Sequence, residues 1–217
     1  VARQLYQLRS PRNFGIGDLG DLKHLIRGFA DAGADFVGLN PLHALFTADP
    51  SRASPFSPSD RRFLNPLIIA VDDVPGYRPQ MRANVQVPSA EDEVDYPEVA
   101  RAKLTALMEV FAAWRSGGTA VPGPSEQAAL LEWPARYQDP KSPAVAAFAE
   151  AHRSEVAFHV FLQRIAAQQL AAVQADALAR GMEMGLYLDL AVGAAPDGAA
   201  TWADRELVMA GVRVGAP

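Results

Sequence analysis

The chain of 217 residues contains no cysteine, which removes disulfides and thiolate metal sites from its chemistry. It also lacks an apolar run of about 18 residues and a signal-peptide pattern, so membrane insertion and secretion are both unsupported and a cytoplasmic protein is expected. Basic residues are in deficit. Twenty Lys and Arg stand against 25 Asp and Glu, a formal net charge of −5, whereas a nucleic acid or an anionic membrane as partner would demand a basic surface. Histidine is scarce too: His152 and His159 lie seven apart and His24 stands alone, so none shows metal-ligand spacing and no cofactor is expected. No Ser, His and Asp set can be assembled from the sequence. What is present, 49% hydrophobic and 21% charged residues, is ordinary for a folded domain with a sizeable core.

The pattern along the chain is α/β. Arg3 to Leu8 alternates enough for a first strand, and Asp18 or Asp21 can cap a helix whose apolar positions Leu22, Leu25, Ile26, Phe29 and Ala30 have helical spacing. Gly33 ends that helix. Phe36 to Leu39 reads as a second strand, in an order that implies parallel pairing. Phe63 to Val71 includes NPLIIAV, a candidate strand, and Pro97 to Trp114 is helical in pattern before a break at Gly117 and Gly118. Ser142 followed by Pro143 opens an Ala-rich helical stretch to Arg180, stopped by Gly181. Met184 to Val192 is almost continuously apolar except for Asp189, as expected of a strand covered on both faces, and Asp197 to Ala210 begins another helix.

The long stretch from Gly38 to Pro66 follows the second strand and is built largely of turn-formers. Loops longer than about 12–15 residues are usually functional, and the carboxyl end of a strand is where α/β sheets place ligands. Within it, His43 either hydrogen-bonds a ligand hydroxyl or satisfies a backbone carbonyl. Arg61 and Arg62 read as a solvated corner, and Ser54 or Ser57 as a nucleophile would be a guess. Phe56, exposed between prolines, offers a flat apolar face to a sugar ring. Gly15, Gly17 and Gly20 satisfy G-x-G-x-x-G, but Asp18 would put a carboxylate where a pyrophosphate belongs, so a glycine-rich capped turn is the preferred reading. Asp189 lies at the carboxyl end of an apolar strand. Burial there would be expensive without a cation or donors, so it either serves a site or caps the next loop.

Three segments, QLYQLRSPRNFGIGDLGDL from Gln4, the Gly38 to Pro66 loop, and GLYLDLAVGAAPDGAATWAD from Gly185, together resemble the 4-alpha-glucanotransferases, or amylomaltases. The resemblance implies a (β/α)8 TIM barrel related to the alpha-amylases and retaining transfer of alpha-1,4-glucan segments between maltooligosaccharides. It places the nucleophilic Asp, the acid/base Glu and a second Asp on later strands, beyond residue 217. No catalytic residue is therefore expected in this chain, and Asp189 is implied to support the catalytic centre. Phe56 matches a position generally occupied by tyrosine in the subsite of the transferred sugar; Ser54, Asn40, His43 and Asn65 complete the expected substrate-binding set. Phe14, where tryptophan is usual, Leu188, often arginine, and Arg164, often tryptophan, depart from the family pattern.

The expected fold is thus a partial barrel, its first three parallel strands carrying an inserted, mainly helical subdomain. Residues 1–74 would begin the barrel with its substrate loop, 75–150 form the insertion, and 151–217 supply a helix, the third strand and the next helix, the barrel being cut after 217. Such a piece would be inactive alone. It would also present the edge of Met184 to Val192 for self-association. The rival readings are a non-catalytic glucan-binding module and a nucleotide-binding α/β protein.

Overall fold

A computed structural model describes residues 1–83, 93–115 and 135–208; Gly117, Gly118 and the end of the expected 197–210 helix fall outside these. In chain order come β1 (Ala2–Arg3), α1 (Leu19–Asp31), β2 (Phe36–Leu39), β3 (His43–Ala44), β4 (Asp60–Leu64), α2 (Pro79–Ala83), α3 (Tyr96–Trp114), α4 (Ala135–Gln138), α5 (Pro143–Ala151), α6 (Arg153–Ala179), β5 (Gly185–Leu188) and α7 (Ala199–Ala203). One sheet is parallel, in the order β1, β2, β5, with Ala2 opposite Gly38 and Leu39 opposite Leu188. The other is an antiparallel hairpin of β3 and β4.

Helix α1 forms where its caps demand. The Asp18 carboxylate accepts from the Gly20 and Asp21 N–H groups while Asp21 accepts from the Asp18 N–H, so both candidate caps act together. Leu19, Leu22 and Ile26 bury one face, and Gly33, at φ +77°, turns the chain away. Helix α3 begins on the Asp95 cap with Pro97 in its first turn and buries Val99, Lys103, Leu107 and Phe111. The expected helix from Ser142 to Arg180 divides at His152 into α5 and α6; the His152 ring stacks on Phe148, centroids 4.1 Å apart.

Several expectations fail for identifiable reasons. The first strand stops at Arg3, because Leu5–Gln7 tighten into a 3-10 turn and the Asn40 side chain takes the Leu5 N–H at 2.9 Å. NPLIIAV is not a strand. Asn65 caps a 3-10 turn over Pro66–Ile68, a second turn spans Val71–Asp73, and Ile69, Ala70 and Val71 are wholly buried against α3 and α6. The third strand is shorter than Met184 to Val192 and is not covered on both faces: Tyr187, Leu188, Leu190 and Val192 are 49–75% exposed. The Gly38 to Pro66 segment is not irregular throughout, since it contains the β3–β4 hairpin.

Backbone that lacks sheet partners is satisfied from α6. Gln163 donates to the Leu64 carbonyl and accepts its N–H at 2.8 and 2.9 Å, and Gln169 does the same for Ala70 at 2.9 and 2.8 Å. Gln174 accepts from the Leu186 N–H at 2.7 Å and donates to the Met184 carbonyl at 3.1 Å. Three side-chain amides thus replace missing strand neighbours. Gln169→Leu, which strands the N–H of fully buried Ala70 and leaves its carbonyl with the Asp73 N–H, should cost about 1–2 kcal/mol in urea unfolding. A loss below about 0.5 kcal/mol would show that the clamp holds nothing.

Candidate functional site

At the carboxyl end of the parallel sheet, Asn40 follows β2 and Asp189 follows β5, each directly after one member of the paired residues Leu39 and Leu188. The hairpin reaches over from β2 and is bolted to the segment after β5. His43 Nε2 accepts the Ala191 N–H at 3.2 Å, and Arg61 donates to the Ala191 and Val192 carbonyls at 3.2 and 3.0 Å. Further out, the Pro58 carbonyl takes the Ala195 N–H at 2.8 Å and Ser59 takes those of Ala199 and Ala200, both at 3.0 Å. Arg52 forks onto Asp197 through two bonds of 2.7 Å, and Arg62 bridges Asp60 and Asp204. Arg61 and Arg62 are exposed, as a solvated corner would be, and they also serve as two of the bolts.

The charges follow from this packing. Burial tends to raise the Asp60 pKa, but hydrogen bonds from the Arg62 side chain and backbone outweigh it and hold the group below its usual range. Burial, with Arg61 beside it, lowers His43 below the ordinary histidine value; Asp189, a backbone hydrogen bond with Arg61, and Asp60 oppose the shift. Because Nε2 accepts a proton-bearing amide, the neutral ring carries its own proton on Nδ1.

Of the residues singled out from sequence, Asn40, His43 and Asp189 come together at the sheet end. Asp189 is exposed, contrary to the expected burial, because nothing among the described residues covers that side of β5. The Asn40 amide donates to the Pro41 carbonyl at 2.9 Å, so its oxygen and nitrogen both hold backbone. Asn65 is buried and takes the Leu67 N–H at 3.0 Å. Ser54 and Phe56 sit at the hairpin tip; Phe56 is 59% exposed. On the hairpin's α6 side runs a mainly apolar groove of about 570 Å³, lined by Phe46, Phe63, Val156 and His159 among others.

Sequence reasoning missed a buried charge network beneath the first loop. Arg12 contacts Asp18, Asp21 and Asp72, and its guanidinium lies against Gly20. Lys103 of α3, completely buried, donates to the Leu67 carbonyl at 2.7 Å and stands 3.6 Å from Asp18 Oδ2, an oxygen with no hydrogen bond of its own. Burial pushes Asp18 up and Lys103 down, each opposed by the other's charge. The signal was available in Lys103, which occupies the apolar stripe between Val99 and Leu107. The network also disposes of the glycine fingerprint's amides: those of Gly20 and Asp21 are taken by Asp18, and a Cβ on Gly17 would stand 1.9 Å from the Leu5 carbonyl. Among the described residues no cluster of three metal-ligating side chains exists, and no helix is long and apolar enough to cross a membrane.

The sequence profile of the 4-alpha-glucanotransferases, glycoside hydrolase family 77, matches residues 3–121 and 119–217. The chain belongs to this family. A 4-alpha-glucanotransferase of Mycobacterium tuberculosis is 36% identical over 254 residues, covering 100% of this chain and 35% of the relative. That of Haemophilus influenzae is 31% identical over 261 residues, covering 99% and 37%. The chain thus spans about a third of the length of the curated glucanotransferases it matches. The crystal structure of amylomaltase from Corynebacterium glutamicum superposes with a TM-score of 0.66 at 30% identity, over 95% of this chain and 31% of that one. Amylomaltase from Streptococcus agalactiae in complex with acarbose gives 0.69 at 16% identity, over 95% and 46%, a likeness of fold.

Proposed function

We propose that the protein carrying these residues is a 4-alpha-glucanotransferase that moves alpha-1,4-glucan segments between maltooligosaccharides with retention. The observation that carries this reading is the family match along the whole chain, coinciding with a carboxylate at the end of β5 beneath a bolted loop with an exposed aromatic tip. Retaining transfer uses two carboxylates about 5–5.5 Å apart, one attacking the anomeric carbon and the other giving and then taking a proton. Among the described residues Asp189 is the one carboxylate directly following a strand of the parallel sheet, and we assign it a supporting role. In this reading residues 1–74 open a TIM barrel, 75–150 are its insertion and 151–217 continue it. The 217 residues alone should release no glucose from maltotriose, because the reacting carboxylates are assigned elsewhere.

The whole protein, given maltotriose, should yield glucose together with longer oligosaccharides whose new bonds are alpha. Hydrolysis without chain extension would overturn the reading. Measurable maltooligosaccharide affinity with no turnover would instead favour a glucan-binding module, a role for which exposed Phe56 is also suited. In the whole protein Phe56→Ala should weaken transfer by the loss of stacking, on the order of 1 kcal/mol, or about fivefold in kcat/KM, while Phe56→Tyr should equal or exceed the parent. Unchanged kinetics in the alanine variant would remove Phe56 from the site. Asn40 and Asn65 then serve the substrate indirectly, by holding the backbone on which the loop stands.

A further inference from the structure

We propose that His43 is the positioning residue for Asp189, pinning as a neutral imidazole the chain two residues downstream and releasing it when protonated. The inference rests on the glucanotransferase reading for the meaning of Asp189, but the pin itself is a matter of this chain's geometry. Ala191 is 2% exposed although Leu190 and Val192 on either side are 65% and 75% exposed. Its backbone is held from the hairpin at both ends: the N–H by His43 Nε2, the carbonyl by Arg61. A buried N–H without an acceptor is costly, so loss of the imidazole lone pair forces Ala191 to move or to admit water. Protonation removes that lone pair, since both ring nitrogens then donate.

The groups acting on the ring are Arg61 and Asp60 from its own hairpin and Asp189 from the segment after β5. The Arg61 guanidinium carries donors and no acceptor, so it cannot take over the Ala191 N–H. Asp189 is therefore linked to the pin twice, by two peptide bonds and by its charge. Burial depresses the His43 pKa, so the unprotonated, pinned state prevails above the usual histidine range near 6.5 and is lost as pH falls through the lower folded value.

The test uses the whole protein in three forms, wild type, His43→Leu and His43→Gln, and reads both Ala191 amide protection and transfer from maltotriose across pH. The glutamine oxygen can stand where Nε2 stood, yet it does not titrate. In wild type the Ala191 protection factor should fall about tenfold as His43 protonates, should be about tenfold low at every pH in His43→Leu, and should stay high and flat in His43→Gln. The kcat should follow protection, with KM changing less, and the acid limb set by His43 should vanish in His43→Gln. Pin-independent protection, or protection that changes while kcat does not, would overturn the proposal. Protection that behaves as stated in a protein with no transfer at all would leave the pin standing and sink the glucanotransferase reading instead. Should His43→Leu fail to fold, the wild-type pH series against His43→Gln still decides.

Discussion

Asp18→Ala should lower the unfolding free energy by about 3–5 kcal/mol. The carboxylate does two jobs that fail together. It caps α1 through the Gly20 and Asp21 N–H groups, a role whose loss typically costs about 1 kcal/mol, and it faces the ammonium of completely buried Lys103. Removing it leaves that ammonium with the Leu67 carbonyl as its one hydrogen-bond acceptor among the described residues. Lys103→Met behaves differently, because it fills similar volume and leaves Asp18 paired with Arg12, so it should cost no more than about 1–2 kcal/mol. The double variant should recover most of the loss. Urea unfolding of the three forms checks this, and an Asp18→Ala loss below about 1.5 kcal/mol would mean that water reaches Lys103.

In the whole protein, Asp189→Asn should reduce kcat about 100-fold, the order expected when a preorganised electrostatic group is removed from a reacting centre. In the 217 residues, where the side chain is exposed, the same change should shift stability by less than about 0.5 kcal/mol. The contrast between the two numbers separates a role in the site from a loop cap, for which stability would fall and kcat would hold. Equal transfer by both forms would remove Asp189 from the centre.

The sequence was most readable where local rules and tertiary packing agree. Asp18, Asp21, Leu22 and Ile26 wrote α1 plainly, as Phe36 to Leu39 wrote β2, and the Ser142 and Pro143 start survives in α5. It misled where distant side chains do what strand neighbours usually do. NPLIIAV has β-branched residues and full burial, yet its backbone partners include Gln169, Lys103, the Leu42 carbonyl and its own turns, which no local pattern reveals. β3 is two residues long, so the hairpin in the Gly38 to Pro66 loop left no periodicity to find. The placement of Asp189 at the strand's end was legible, but its exposure was not, because apolar neighbours such as Tyr187 and Leu188 signal burial whether or not these residues meet a cover. His43 was visible as a candidate, while its partner at Ala191 lies 148 residues away.

The three glutamines of α6 grip main chain and not side chains, and this sets what kinds of change the clamped segments can absorb. Leu64 and Ala70 present only their peptide groups to Gln163 and Gln169, whereas Gln174 lies so close to Gly185, at φ +75°, that a Cβ there would stand 2.6 Å from its Oε1. Length is another matter. The gripping amides are spaced along a rigid rod at about 1.5 Å per residue, and one inserted or deleted residue between Leu64 and Ala70 would bring the wrong peptide to Gln169. Helix α6 therefore works as a ruler: it rejects changes in the number of residues between the points it grips, and at Gly185 it rejects a side chain as well.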